Sequence, residues 1–438
     1  MIADTTTTAR LLKVAAGADY TAHTSLIGPL PLRGSVRPGR VGPLGPIVAA
    51  AGLRGRGGGW FPFARKMEAV AAATGIRPPV VVVNGMESEP LSTKDGHLLA
   101  TAPHLVMDGA ALAAEAIGAD RVIIAVPAAA GDRPRLGPWL DDLAAERAAR
   151  GVDPVDIVVA EGPKRYLSGQ ETALVNWVNG GPALPTTTRP FKKGVEGRAT
   201  LVSNAETFAH LGLIGRYGPK WFRAAGTRDA PGTALLTISG AVVHPGVLEV
   251  PLGIPVQEVL RAADAIPDPA AVLFGGYGGT WLAGTDAAAL TIDPESMKAA
   301  GAALGPGIIH VLPRDVPGLL RTAEIARWME TQGAGQCGPC RFGLRALSAD
   351  LDRALRGDIA AADRLRRRLA LLPGRGGCAH PDGTARLVTS ALAVFGAALP
   401  GWQDSRRQDP GSRLSGGRGS GAGSAALRSG RRGSRVRR

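Results

Sequence analysis

Three short apolar runs set the architecture of this chain: PPVVVVN (78–84), RVIIAVP (121–127) and VDIVVAEG (155–162). Each is rich in β-branched residues and bounded by turn formers. Runs of this kind read as strands buried on both faces, which belong to parallel sheets covered by helices. The intervening segments carry helical patterns. These are FPFARKMEAVAAAT (61–74), with Pro62 in its first turn, PHLVMDGAALAAEAIGA (103–119), RPRLGPWLDDLAAERAAR (133–150) and GQETALVNWVNG (169–180). VGPLGPIVAAAGL (41–53) reads as a short helix. Alternation of strand and helix implies βαβ units, so residues 41–225 are expected to form an α/β domain. Residues 1–40 are Pro/Gly-rich and weakly patterned, as in a wrapping arm.

The pattern changes near residue 232. GTALLTISGAVVHPGVLEVPLG alternates around HPG, a hairpin signal. PVQEVLRAA (255–263) follows as a helix and AAVLFGGYGGTWL (270–282) as a strand with a glycine-rich turn. Residues 232–290 thus read as a small α+β module. After GIIHVLP (307–313) the chain turns helical, and residues 315–402 form a helical region interrupted by two cysteine-bearing loops. From 403 to 438 the sequence is low-complexity Arg/Gly/Ser and reads as a disordered, solvated tail.

Charge is concentrated in that tail. The net charge is +14, yet Pro410–Arg438 alone holds eight arginines and no acidic residue. The remaining body is mildly basic, which argues against a nucleic-acid enzyme, while the tail suits an acidic partner. The N-terminus lacks a basic region followed by a long apolar core, and no stretch reaches 18 apolar residues. With three cysteines and no export signal, a disulfide framework is disfavoured; the expected location is the cytoplasm, where thiols stay available for metal.

The loops carry the chemistry. GLRGRGGGWFPFARK (52–66) follows a helix rather than a strand, so it is not the dinucleotide fingerprint. Its glycines still let backbone N–H groups approach an anion, and Arg54, Arg56 and Lys66 add charge. The bland reading is a plain turn. VVVNGMESEPLSTKD (81–95) places Asn84, Glu87 and Glu89 just past a strand, where open α/β sheets bind ligands. Carboxylates there suit the hydroxyls of a sugar or ribityl chain, or form a solvated loop. GQETAL (169–174) and VSNAETF (202–208) are further polar loops of the same type, and convergence on one pocket strengthens each. Cys337 and Cys340 in CGPCRFG, with Cys378 in GRGGCAHPDG, sit in Gly/Pro-rich loops rather than apolar runs. That setting fits a metal site better than a core.

Taken in order, Gly52–Lys66, NGMESEP, GQETAL, SNAET and GQCGPCRFG resemble the flavoprotein subunit of bacterial NADH:quinone oxidoreductase (complex I) and related NAD-linked diaphorase subunits. The resemblance spans residues 45 to 400. It implies a Rossmann-like FMN domain, a ubiquitin-like (SLBB-type) module and a helical bundle holding a 4Fe–4S cluster. It implies that Gly55, Arg56, Gly57, Gly58 and Lys66 surround the flavin and its phosphate. Phe61 would stack on the nicotinamide nucleotide. Asn84, Glu87 and Glu89, then Gly169, Glu171 and Thr172, then Asn204 and Thr207, would form three polar binding loops. Cys337, Cys340 and Cys378 would ligate the cluster. No side chain is expected to act as acid or base.

Four positions depart from the family pattern: Trp60 stands for glycine, Met86 for aspartate, Gln170 for glutamate and Ser203 for asparagine. A less acidic pocket brings NADPH into range beside NADH. The first cluster cysteine is replaced by Ala334, which leaves a 3Fe–4S cluster, a non-cysteine fourth ligand, a lost cluster, or zinc as alternatives. His380 is the nearest spare ligand, and equally an ordinary turn residue. The function implied is NAD(P)H oxidation through flavin and cluster, delivering electrons to a ferredoxin, a companion iron–sulfur subunit or a quinone-linked acceptor. The alternative is a catalytically degenerate scaffold or binding subunit of an electron-transfer assembly.

Overall fold

Val80–Asn84 (β1) is almost wholly apolar and fully buried along its first four residues, as a central parallel strand requires. It pairs in parallel with Arg121–Pro127 (β2) on one side and Thr200–Asn204 (β4) on the other; β2 pairs with Asp156–Gly162 (β3). The computed structural model describes residues 10–14, 16–34, 39–129, 135–400 and 402. The expected tail from 403 lies outside them. The strand order β3-β2-β1-β4 means the chain winds outward from β1 and then returns to its opposite side. The connections therefore diverge between β1 and β4, and a crevice opens at their carboxyl ends.

The helix Pro103–Ile117 is buried all round, with Ala and Gly on its surface. Gly109 allows this: an added Cβ would lie 1.7 Å from the Phe208 carbonyl oxygen, so the helix Ala205–Arg223 packs backbone-close against it. Two helices carry no clear signal in the sequence, Lys94–Thr101 and Ala205–Arg223. The second begins directly at the end of β4, so VSNAETF is strand end and helix start rather than an extended loop. Tyr20–Ile27 gives the N-terminal arm a helix of its own, anchored by His23 Nε2 at 2.8 Å from Asp108.

A second sheet of five strands follows among the described residues. The hairpin is Thr233–Gly240 (β5) with Gly246–Pro251 (β6), followed by the helix Val256–Ala262. Ala271–Phe274 (β7) and Thr280–Ala283 (β8) form a second antiparallel pair. Ile308–Leu312 (β9) lies between β5 and β7, so the sheet is completed by a strand beyond residue 290. The helices Gly318–Thr331, Leu344–Leu355, Ile359–Leu371 and His380–Phe395 then share one apolar core with Trp281, Leu273 and Ala271. Among the described residues no helix is long and apolar enough to cross a membrane.

One buried ion network joins the crevice to the second sheet. Lys94 Nζ donates to Asp95 (2.7 Å), Asn204 (3.0 Å) and Glu206 (2.9 Å). The other Glu206 oxygen accepts the Leu235 N–H of β5 at 2.9 Å. Burial pushes the Glu206 carboxyl up, but Lys94, His210 and Arg56 overcome it and hold it at about 2. Removing one member strands the others' charges. Lys94→Met is expected to lower stability by about 3–5 kcal/mol in urea unfolding. A loss below about 1 kcal/mol would show that the network is solvated rather than structural.

Candidate functional site

Asn84 and Asn204 end adjacent strands and pair in register at the crevice. Their amides are held in place: Asn84 Nδ2 donates to the Gly169 carbonyl at 2.8 Å, and Asn204 Nδ2 donates to Asp95 at 2.6 Å. The strand edge thereby brings the three polar loops to one place. A cavity of about 380 Å³ opens there, lined by Glu87, Glu89 and Asp95 on one side and Tyr166 and Gly169 on another. Cys378 and His380 form a further part of its wall. A second cavity of about 330 Å³ adjoins it and shares Gly57, Asn84, Gly169, Gln170 and Asn204. This one adds Gly55, Phe61, Lys66 and Glu171.

The glycine loop forms the roof of both. A Cβ on Gly57 would stand 3.2 Å from Asn204 Cβ, and Gly58 has φ +109°. Close backbone approach is therefore built into the loop. Lys66 Nζ lies 3.1 Å from Glu171, a partly exposed pair at the cavity mouth. Phe61 is 55% exposed there, with its ring free to stack on a planar ligand.

Three residues expected to touch ligand line neither cavity. Arg56 is buried, donates to the Thr233 carbonyl (2.9 Å), and places its backbone N–H on Thr207 Oγ1 (2.9 Å). Thr207 is thus a brace for the glycine loop. Thr172 donates its hydroxyl to Gln170 Oε1 at 2.7 Å, while the same oxygen caps the helix Glu171–Val178. These side chains position the loops that do line the cavities.

The carboxylates divide by role. Glu87 (φ +37°) accepts the N–H groups of Asp95 and Gly96 and the Ser92 hydroxyl, each at 2.8 Å, and so secures the start of the helix Lys94–Thr101. Glu89 is pushed up to about 7 by burial, opposed by the Tyr277 N–H and the Tyr166 hydroxyl. Tyr166 has no motif of its own in the sequence, although it lies three residues before Gly169. Its ring centroid is 5.3 Å from His380 and 5.7 Å from Trp328. Arg386, which donates to the Gly278 carbonyl and lines the larger cavity, carries no local signal at all.

The departures from the family pattern also find their places. Trp60 keeps a glycine-like backbone (φ +49°), at a strain of about 1–3 kcal/mol. Its indole sits 4.6 Å from the Arg56 guanidinium and donates to the Gly305 carbonyl at 3.1 Å. Met86 is buried in the apolar layer with Val80, Val82 and Leu174.

The thiols gather where two loops meet. Pro339–Gly343 forms a π turn that leads into the helix Leu344–Leu355, and Cys340 Sγ accepts the Gly335 N–H at 3.3 Å. A Cβ on Gly377 would lie 3.9 Å from Cys337 Cβ, which places the Cys378 loop beside the first pair. Burial pushes the Cys378 thiol up; the His380 N–H opposes this, and Cys340 and Cys337 are near enough to raise it further. Among the described residues no three His, Cys, Asp or Glu side chains are arranged to hold a single metal ion. The donor set is one of soft thiols with N–H···S support, which suits an iron–sulfur cluster.

The Glu89 carboxyl gives a pH test. Between pH 4.5 and 7 the unfolded chain ionises this group while the folded chain keeps it neutral, so stability falls as pH rises through that window. Glu89→Gln is expected to be more stable than wild type at pH 8 by about 2 kcal/mol, discounted for the open cavity, and nearly unchanged at pH 4. Equal effects at both pH values in urea unfolding would refute the raised carboxyl.

Residues 48–212 match the Nuo51 FMN-binding domain, and residues 321–399 match the NADH-ubiquinone oxidoreductase-F iron-sulfur binding region. The F component of the NADH-quinone oxidoreductase of Mycobacterium tuberculosis (strain ATCC 25618 / H37Rv) is 31% identical over 370 residues, covering 80% of this chain and 82% of the relative. That of Rickettsia bellii (strain OSU 85-389) is 30% identical over 363 residues, covering 80% and 87%. Among solved structures, the NAD+-reducing [NiFe]-hydrogenase in the H2-reduced state aligns with a TM-score of 0.75 at 29% identity. The alignment covers 81% of this chain and 62% of the hydrogenase chain. With its glycine-roofed crevice, polar strand-end loops and clustered thiols, the chain belongs to the family of NADH-quinone oxidoreductase F components.

Proposed function

We propose that the chain oxidises NAD(P)H with FMN and passes electrons through an iron–sulfur cluster to a ferredoxin-like protein or companion iron–sulfur subunit. The observation that carries this reading is the shared wall: one cavity touches Gly57 and Asn204 at one end and Cys378 at the other. Bound FMN supplies hydride acceptance and the cluster one-electron transfer. The chain's own residues do the positioning. Lys66 and the N–H groups of the glycine loop would hold the phosphate in the smaller cavity. Asn84, Glu87 and Glu89 would face the ribityl and ring region, and Phe61 would cover the nicotinamide nucleotide. Cys337, Cys340 and Cys378 would hold the cluster, close enough to the larger cavity for direct electron transfer.

The finer organisation belongs to this reading. Residues 41–225 would be the flavin and nucleotide domain, 232–290 the body of an SLBB-type module, and 315–402 the cluster domain. The cytoplasm is the compartment proposed, and the basic tail would meet an acidic partner. The scaffold alternative rests on Trp60, Met86 and Ala334, and a colourless protein would favour it.

Gln170 lines both cavities where the family pattern carries glutamate. A carboxylate there would repel a phosphorylated ribose. Anaerobic, FMN-loaded protein is therefore expected to bleach its flavin absorbance with NADH and also with NADPH. Gln170→Glu should lower kcat/KM for NADPH by about tenfold and leave NADH within about twofold. Flavin that neither nucleotide bleaches would refute the oxidoreductase reading, and an unchanged preference in the variant would refute the role of Gln170.

A further inference from the structure

The whole chain has three cysteines, and Ala334 stands at the family's first cluster position. We propose that the His380 imidazole supplies the fourth protein ligand of the cluster; this rests on the iron–sulfur reading above. Its place in the fold is the first reason. Gly333, directly before Ala334, faces both partners: an added Cβ would be 2.6 Å from Cys340 Sγ and 3.9 Å from His380 Nε2. The Nε2 edge of the imidazole, the edge that bonds Met329, therefore borders the same backbone turn that would carry the replaced cysteine. His380 follows Cys378 by two residues, and both line the larger cavity.

The ring's hydrogen bonding is the second reason. Nε2 lies 2.9 Å from the Met329 carbonyl oxygen, which can only accept, so Nε2 carries the proton. A neutral ring then has a bare lone pair on Nδ1. That atom is buried and has no hydrogen-bond partner among the described residues, in a side chain only 4% exposed. A buried acceptor left idle is unfavourable unless something bonds to it. Metal-bound histidines show this pattern, with the other ring N–H donated to a backbone carbonyl. The neighbouring oxygen donor is already engaged, because both carboxylate oxygens of Asp382 accept the Gly374 N–H.

A neutral imidazole in place of a thiolate removes one negative charge from the site. The cluster's midpoint potential then lies above that of an all-thiolate equivalent, as where histidine replaces cysteine in two-iron centres.

The test uses full-length protein labelled with 15N-histidine, prepared anaerobically with FMN and reduced. Pulsed electron paramagnetic resonance is expected to show strong nitrogen coupling to a four-iron cluster. His380→Leu should abolish that coupling and lose iron toward a three-iron cluster, with an unchanged circular dichroism spectrum as the control for folding. Adding Ala334→Cys to His380→Leu should restore the four-iron cluster without nitrogen coupling and with a lower midpoint potential. A four-iron cluster lacking nitrogen coupling in the wild type, or a three-iron cluster under the same conditions, overturns the ligand assignment alone. Wild-type protein that takes up no iron overturns the iron–sulfur reading together with it.

Discussion

The Lys94 ammonium is the point on which the crevice depends. It is fully buried and fixes three acceptors at once: Asp95 beside it, Asn204 at the end of β4, and Glu206 in the first turn of the following helix. Asp95 in turn holds the Asn204 amide, and Glu206 reaches β5 of the second sheet. The position of Asn204 in the cavity wall is thus set by charge pairing rather than by apolar packing. A buried cation compensated on three sides has one favourable geometry, and that gives the strand edge the rigidity a stacked flavin and nicotinamide need.

Much of the fold was legible because parallel strands buried on both faces are written as unbroken β-branched runs. VVVVN and RVIIAVP announce themselves in this way. TLVSN (β4) does not: Thr200, Ser203 and Asn204 spend their side chains on hydrogen bonds and on the cavity wall, so the run looks like a loop. KDGHLLAT was hidden for a similar reason. Its first two residues are the buried ion network, and only the structure shows that Glu87 secures its start. The centrality of β9 could not be read locally, since its partners lie about 70 and 35 residues earlier.

The candidate site was legible at its loops and obscure at its supports. The loops were visible because glycine and carboxylate clusters after strands have few structural uses. Arg56 and Thr207 share those motifs yet face away from the cavities and brace the loop through the Arg56 N–H. Tyr166 and Arg386, which do line the larger cavity, come from places where sequence shows only ordinary polar chain. The substitutions within the motifs are accommodated locally. Trp60 keeps the left-handed backbone and turns its indole onto Arg56 and Gly305, while Met86 joins the apolar layer under the sheet.

The central claim is that the glycine loop above Asn204 is the flavin cradle. Gly57→Val measures it directly, because the new side chain would press on Asn204 from 3.2 Å and project toward the space the two cavities share. Protein purified with excess FMN is expected to retain nearly one flavin per chain as wild type and less than about a tenth of that as the variant, a loss of about 1.4 kcal/mol or more in binding. A variant that folds, by unchanged circular dichroism, and keeps its full flavin would contradict the account.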